Sequence, residues 1–180
     1  MTTPNDKDII AVVKKDTEKG FRALMAKYKE SVYWHIRRLV VSHDDAQDAA
    51  QETFVRIFRS FHQLKEDSSL QAWIYRIATN EAMRMLERHK GSKMSLDDPE
   101  TGVNAIMADE YVDYSNLEAV RLQKAILSLP TRQQLTFNLR YYDELAYDEI
   151  AAITGSTVES AKANYHIAKE KIIKYMNATA

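Results

Sequence analysis

The sequence predicts an all-α chain of two small helical domains joined by an acidic linker. Apolar residues recur at intervals of three and four through both ends of the 180-residue chain, only 4 Gly and 3 Pro interrupt them, and 45% hydrophobic content suffices for buried cores. There is no cysteine, which excludes a disulfide framework and a thiolate metal site. No apolar run approaches the length that spans a bilayer and the amino terminus lacks a signal-peptide pattern, so a cytoplasmic protein is expected.

Charge sets the organisation. The net charge of −1 conceals an uneven distribution: residues 1–90 carry 16 Lys and Arg against 13 Asp and Glu, residues 91–116 carry 1 against 6, and residues 117–180 carry 8 against 7. Two mildly basic blocks therefore flank an acidic one. The middle stretch holds Gly91, an Asp97-Asp98-Pro99 turn signal and no sustained helical period, and reads as a linker with room for a short helical turn around 105–109. Free DNA affinity should be weak, because few phosphates can be neutralised and the acidic tether repels a duplex.

The first block divides into four helices. Asp6 to Lys15 is short. Thr17 to Val40 is long, with Phe21, Leu24, Met25, Tyr28, Val32, Ile36 and Leu39 on one face. Asp44 and Gln47 form a D-x-x-Q start for a third helix ending near Ser60, whose buried side is Ala46, Ala49, Ala50, Thr53, Phe54, Ile57 and Phe58. Its other side runs from Asp44, Asp45, Asp48, Gln51 and Glu52 to Arg56 and Arg59. That order suits the helix dipole, and it also makes a docking face for a basic partner.

A polar loop follows Phe61, and Ser68 with Gln71 caps a fourth helix running to about Lys90. Here Trp73, Ile74, Ile77, Ala78 and Leu86 lie among Tyr75, Arg76, Asn80, Arg84, Arg88 and His89. Rings to stack exposed bases and cations for the backbone are what single-stranded DNA binding requires. Core packing is the competing explanation for each aromatic; it is expected to hold for Trp73 and Ile77 and, if it fails anywhere, to fail for Tyr75.

The last block contains a helix-turn-helix pattern over residues 145–169. Ile150, Ala151 and Ile153 give its first helix an apolar side, and Gly155 sits where the chain must turn sharply. Ser156 and Glu159 form an S-x-x-E cap, so a second helix starts near Thr157 with Val158, Ala161, Tyr165, Ala168 and Ile172 as its buried stripe. The opposite face presents Glu159, Lys162, Ala163, His166 and Lys169, which suits a major groove; an ordinary helical hairpin would share the same periodicity.

Catalysis is not indicated. Asp48 and Glu52 stand at i and i+4, but no E-x-x-H or H-E-x-x-H accompanies them, the 5 His are scattered, and no Gly-rich phosphate loop is present. Neither a metal nor another cofactor is expected.

Four ordered motifs carry a resemblance: residues 46–54 (AQDAAQETF), 73–80 (WIYRIATN), 129–134 (LPTRQQ), and Glu149-Ile150-Ala151 leading into the helix-turn-helix. Together they resemble the extracytoplasmic-function (ECF, group IV) sigma factors of bacterial RNA polymerase, in the sigma-70 family, over nearly the whole chain. The resemblance implies a sigma-2-like domain over residues 1–90, a linker over 91–116 and a sigma-4-like domain over 117–180. It implies a transcription initiation factor that binds core RNA polymerase and directs it to promoters, reading duplex minus-35 and melted minus-10 elements.

By that resemblance, Asp48, Gln51 and Glu52 dock on the clamp helices of the polymerase largest subunit. The loop and following helix capture a flipped minus-10 base, with Phe61, His62, Lys65, Ser68, Ser69, Tyr75, Arg76, Asn80, Arg84 and Arg88 as the implied contacts. Thr157, Glu159, Ser160, Lys162, Ala163, Asn164 and His166 fall on the helix that reads minus-35. The acidic linker corresponds to the segment that threads through polymerase channels, and an anti-sigma factor is an implied partner. The chain departs from the family at Asn164 and Ile167, often arginines there, and at Thr154, Ser156 and Ala161, often larger apolar residues; the first change removes phosphate contacts and the second softens the domain core. Two alternatives stay open: a stand-alone dimeric helix-turn-helix regulator, and an adaptor that only scaffolds protein partners.

Overall fold

The computed structural model describes residues 3–40, 42–65, 69–91 and 116–178. Residues 92–115 of the linker, with its expected helical turn at 105–109, and Ser68 lie outside these residues. Among the described residues the chain is helical, with one short 3-10 turn and no strand: α1 Asp6–Lys15, α2 Thr17–Val40, α3 His43–Ser60, the turn Phe61–Gln63, α4 Leu70–Lys90, α5 Leu117–Leu127, α6 Thr131–Tyr141, α7 Tyr147–Thr154 and α8 Val158–Ala178.

Helix ends follow from local chemistry. Asn5 Oδ1 accepts from the Asp8 amide at 2.8 Å to open α1, and acids in the first turn with lysines in the last suit its dipole. Asp16 Oδ1 accepts from the Lys19 amide at 3.1 Å and starts α2 at once. The two helices meet so closely that a Cβ on Gly20 would lie 2.4 Å from Val13 Cγ2 and 2.5 Å from its backbone nitrogen.

Three expected caps move by one or two residues. Ser42 Oγ, not Asp44, accepts the first free amide of α3, from Asp45 at 3.4 Å. Asp44 already lies inside the first turn, where its charge still favours the helix. Ser69, not Ser68, caps α4 by accepting from Ala72 at 3.1 Å. Thr157 Oγ1, not Ser156, accepts from Ser160 at 3.1 Å and opens α8, because Ser156 Oγ is engaged with Thr154 Oγ1 at 2.8 Å. Each turn offers adjacent hydroxyls, and tertiary packing selects between them. At the carboxyl ends, Gly91 closes α4 at φ 74 and Gly155 closes α7 at φ 66, as the latter's position predicts.

The first unit packs α1, α3 and α4 around α2, with Leu24, Val32, Ile36, Ala46, Ile57, Ile74 and Leu86 at its centre. Of the face expected for α2, Leu24, Tyr28, Val32, Ile36 and Leu39 are buried, and Phe21 and Met25 are half-buried. On α3, Phe58 departs from the expected core set and is 48% exposed. In the second unit Ala125, Ile126, Leu129, Phe137, Ala168 and Ile172 form a separate core beneath α8. The larger core does not stop at the first unit. Leu135 and Leu139 of α6, Leu145, and Ile150 and Ile153 of α7 continue it, and α4 packs directly against α7. The two units therefore share an interface.

Candidate nucleic-acid interface

Three exposed faces and one buried cluster carry the chemistry. The first face lies on α3. Burying Ala46, Ala49, Thr53, Phe54 and Ile57 against α2 and α4 turns Asp48 and Gln51 outward, as the periodicity predicts. Glu52 is half-buried and reaches Arg56 Nε at 3.4 Å. Arg56 also meets Glu81 at 2.5 Å, and Arg84 closes on the same buried carboxylate. One carboxylate nine-tenths shielded from solvent thus holds two arginines in place.

Beside this face runs a feature the sequence reading missed, an open groove of about 1460 Å³ between α2 and α3 lined by Phe21, Met25, Tyr33, Trp34, Val55 and Phe58. Phe21 meets Phe58 edge-on at 5.2 Å. Val55 falls outside the expected buried stripe of α3 and is the one sequence signal of the groove, whereas the periodicity places Phe58 inside that stripe and only the structure exposes it.

The second face lies on α4. Arg76, Asn80, Arg84 and Arg88 recur every four residues, and all four are exposed on one stripe. His62 and Lys65 are exposed in the preceding loop. Phe61 is buried, 6.4 Å from Phe21 and 5.9 Å from Trp73, so it supports the loop from below. Ser69 is occupied as the α4 cap.

Tyr75 corrects an expectation. It is the aromatic singled out for exposure, yet it is only 1% exposed, whereas Trp73 is half-buried. The phenol donates to Asp143 Oδ1 at 2.9 Å, across 68 residues of sequence. In this arrangement Tyr75 cannot stack on a base. Burial and the neighbouring Asp143 charge push its pKa well up, so it remains a donor.

Around that bond sits the buried cluster. Asp143 Oδ2 lies 3.7 Å from Arg38 Nη1 and 4.0 Å from His35 Nδ1. Thr79 Oγ1 donates to the Tyr75 carbonyl at 2.7 Å, which uses its one hydrogen; His35 Nε2, 2.9 Å away, must therefore donate to it. Nδ1 then carries a bare lone pair facing the carboxylate. Burial, with the Arg38 charge adding to it, holds His35 down to about 3, and burial raises Asp143 against the opposing pull of Arg38 and the Tyr75 hydrogen bond.

The third face belongs to the helix-turn-helix. Ala161, Ala168 and Ile172 are buried with Val158 and Tyr165 half-buried, so Glu159, Lys162, Ala163, His166 and Lys169 point outward. Ser160 and Asn164 lie half-buried at its edge, 3.5 Å apart. His166 pairs with Glu170 at 3.1 Å, and Lys162 reaches over the Tyr147 ring at 5.9 Å. Thr154 explains one departure from the family pattern: its buried hydroxyl donates to the Ile150 carbonyl at 2.8 Å and meets Ser156. Arg132 donates to the Thr154 carbonyl at 3.0 Å, so hydrogen bonds replace apolar bulk in the turn.

Among the described residues no group of three metal-ligating side chains occurs, and no helix is long and apolar enough to cross a membrane. A helical unit with an acidic face beside a cationic stripe, followed by a helix-turn-helix unit, defines a two-headed DNA-binding protein. Residues 24–91 match the family model for Sigma-70 region 2, and residues 119–172 match that for Sigma-70, region 4. The ECF RNA polymerase sigma-E factor of Salmonella typhimurium is 30% identical over 93% of this chain and 92% of its own length. Two solved structures share the fold: CnrH in complex with the cytosolic domain of CnrY, TM-score 0.73 at 20% identity over 97% of this chain and 99% of that one, and the sigma factor RpoE in complex with the anti-sigma factor NepR from Bartonella quintana, TM-score 0.65 at 19% identity over 88% and 98%. The chain belongs to the ECF sigma factors of the sigma-70 family. Its function is transcription initiation: it joins core RNA polymerase and directs it to promoters.

Proposed function

We propose that the three exposed faces divide the work of initiation. Asp48, Gln51 and Glu52 on α3 dock core polymerase. The α4 stripe of Arg76, Asn80, Arg84 and Arg88, with His62 and Lys65 of the loop, holds the separated minus-10 strand. Lys162, Ala163 and His166 on α8, flanked by Glu159 and Asn164, read the minus-35 duplex. The observation that carries this assignment is the exposed i, i+4 stripe of α4: Arg76, Asn80 and Arg88 face outward while Ile74, Tyr75, Ala78, Ala82 and Leu86 are buried, and Arg84, itself exposed, is anchored by buried Glu81. Asn80 supplies both a donor and an acceptor for the edge of a flipped base.

The bond-forming chemistry belongs to the polymerase, and the chain itself carries none. An anti-sigma factor is the natural antagonist: one fold relative was solved with such a partner, and the apolar groove beside the docking face offers it area. The chain acts in the cytoplasm, where polymerase and promoters are.

The test is transcription from a pooled library of random promoters by core polymerase, with and without this chain. New transcripts sharing two spaced elements are the expected result. Tight duplex binding without polymerase at a two-fold symmetric site would replace this reading with the stand-alone regulator.

A further inference from the structure

Glu81 is an acid set among buried apolar residues of α4. Ala78, Ala82, Met85 and Leu86 flank it on the helix and are all buried, and an apolar side chain at 81 would pack without the cost of taking a carboxylate out of water. Its side chain is 5% exposed, and a single cation would balance it. Two converge on it instead. Arg56 Nε of α3 lies 2.5 Å from Glu81 Oε1, and Arg84 Nη1, nearly one turn further along α4, meets the same oxygen. Arg56 is itself steadied by Glu52 at 3.4 Å, so the carboxylate is pinned from the α3 side and presents its remaining attraction to Arg84.

What this arrangement fixes is the Arg84 guanidinium. The Arg84 side chain remains 46% exposed, with Nη1 committed to Glu81 and the rest of its planar fork of donors open to an acceptor. An arginine held in this way loses less rotational freedom on meeting a phosphate than an unheld one does. Among the described residues Arg76 and Arg88 of the same stripe make no ion pair, so Arg84 is the arginine of that stripe set in place beforehand. It stands about 6 Å along the helix axis from Asn80, and a strand whose base is taken up by Asn80 passes its backbone within reach of Arg84. Glu81 also brings a negative charge toward that backbone. The two effects of the carboxylate on a nucleic acid thus have opposite signs.

We propose that Glu81 is a positioning residue for promoter opening: it orients Arg84 to grip a phosphate of the separated minus-10 strand, and this gain outweighs the repulsion of its own charge. The proposal rests on the strand-holding role of α4 proposed above. It reverses ordinary electrostatics, in which neutralising an acid beside a nucleic-acid surface tightens binding.

The test uses the full chain in complex with core polymerase, titrated with a duplex whose mismatched bubble exposes the minus-10 strand of a promoter selected from the random library. Glu81→Gln keeps the size and removes the charge; it should weaken binding about fivefold. The slope of log affinity against log salt should shrink by about 0.7, the loss of one single-strand phosphate contact. Glu81→Asp keeps the charge but draws the carboxylate back along the chain, and should weaken binding about twofold. In an Arg84→Ala background neither substitution should have a further effect, because both act through that guanidinium. Unchanged or tighter binding by a Glu81→Gln chain of full helical content would overturn the proposal. An equal loss in the Arg84→Ala background would overturn it too, since the loss would then come from packing. Should Glu81→Gln fail to fold, unchanged binding by Glu81→Asp has the same force. Arg84→Ala by itself separates the two claims: if it and Asn80→Ala both leave binding intact, the strand-holding role of α4 falls, whereas a loss with Arg84→Ala and none with Glu81→Gln strikes the positioning alone.

Discussion

His35 shows how one residue couples the core to pH. It is fully buried, its Nε2–H is committed to Thr79, and its charged form is disfavoured down to about 3, against an ordinary value near 6.5. A depressed histidine contributes stability that is complete above about 6.5 and is lost as pH falls toward 3. Asp143 works in the opposite sense, because its raised carboxyl favours the folded state as it protonates. The His35 contribution should lower the urea midpoint between pH 7.5 and 5, with the raised carboxyls of Asp143 and Glu149 acting against it. His35→Gln keeps a donor for Thr79 and cannot charge, so its midpoint should fall less over that interval; equal pH dependence would remove His35 from the account.

Asn80 tests recognition at the same scale. The side chain is exposed and makes no hydrogen bond among the described residues, so Asn80→Ala should leave the melting temperature nearly unchanged. Transcription from promoters varied at each minus-10 position should lose preference at one base, by about 1–3 kcal/mol of discrimination. An unchanged base profile would move the pocket elsewhere. The residues around these two were unequally legible. Arg76, Asn80, Arg84 and Arg88 follow from spacing alone, whereas the fate of Tyr75 depends on a carboxylate 68 residues away. Neither Asp143, Arg38 nor His35 stands out in the sequence, because nothing local distinguishes a buried ion pair from a solvated surface charge.

At the scale of elements, α1 is held by a close approach rather than by area. Gly20 is buried in α2 with the Val13 backbone where a side chain would begin. Gly20→Ala improves helix propensity by about 1 kcal/mol but forces α1 away from α2. The expected net is destabilisation by about 1–3 kcal/mol, seen as a lowered urea midpoint, with the amides of α1 losing protection from hydrogen exchange first. Unchanged protection across 6–15 would show that α1 shifts at little cost. Helix α3 offers the docking test. Asp48→Lys with Glu52→Lys reverses charge on the exposed side and spares the buried one, so binding to core polymerase should weaken at least tenfold while helical content persists. Undiminished binding would remove α3 as the docking face. Helix extents were readable because apolar stripes have a period of their own; caps were less so, since Ser68 and Ser69, or Ser156 and Thr157, are equivalent until packing fixes which oxygen faces the free amides.

For the whole molecule the governing quantities are reach and charge. Between Gly91 and Asn116 the chain can extend no further than about 85 Å, close to the separation of the two elements. Removing half of that stretch should abolish transcription from promoters that need both elements and leave polymerase binding intact. Full activity of the shortened chain would mean that only one element is read at a time. The acidic stretch also holds much of the excess negative charge, so neutralising it should raise the affinity of the free chain for duplex DNA at low salt.

The sequence by itself determined the all-α class, the two basic blocks, the long amphipathic helices and the outward faces of α3, α4 and α8, because periodicity and charge are local properties that a helix converts directly into faces. Tertiary structure alone decided that Tyr75 is an interface residue, that Phe58 and Val55 border a groove, that Glu81 holds two arginines, and that Asp143 joins the units. Those outcomes turn on which surfaces meet, and burial of a polar group is set by partners distant in sequence whose positions no local pattern encodes.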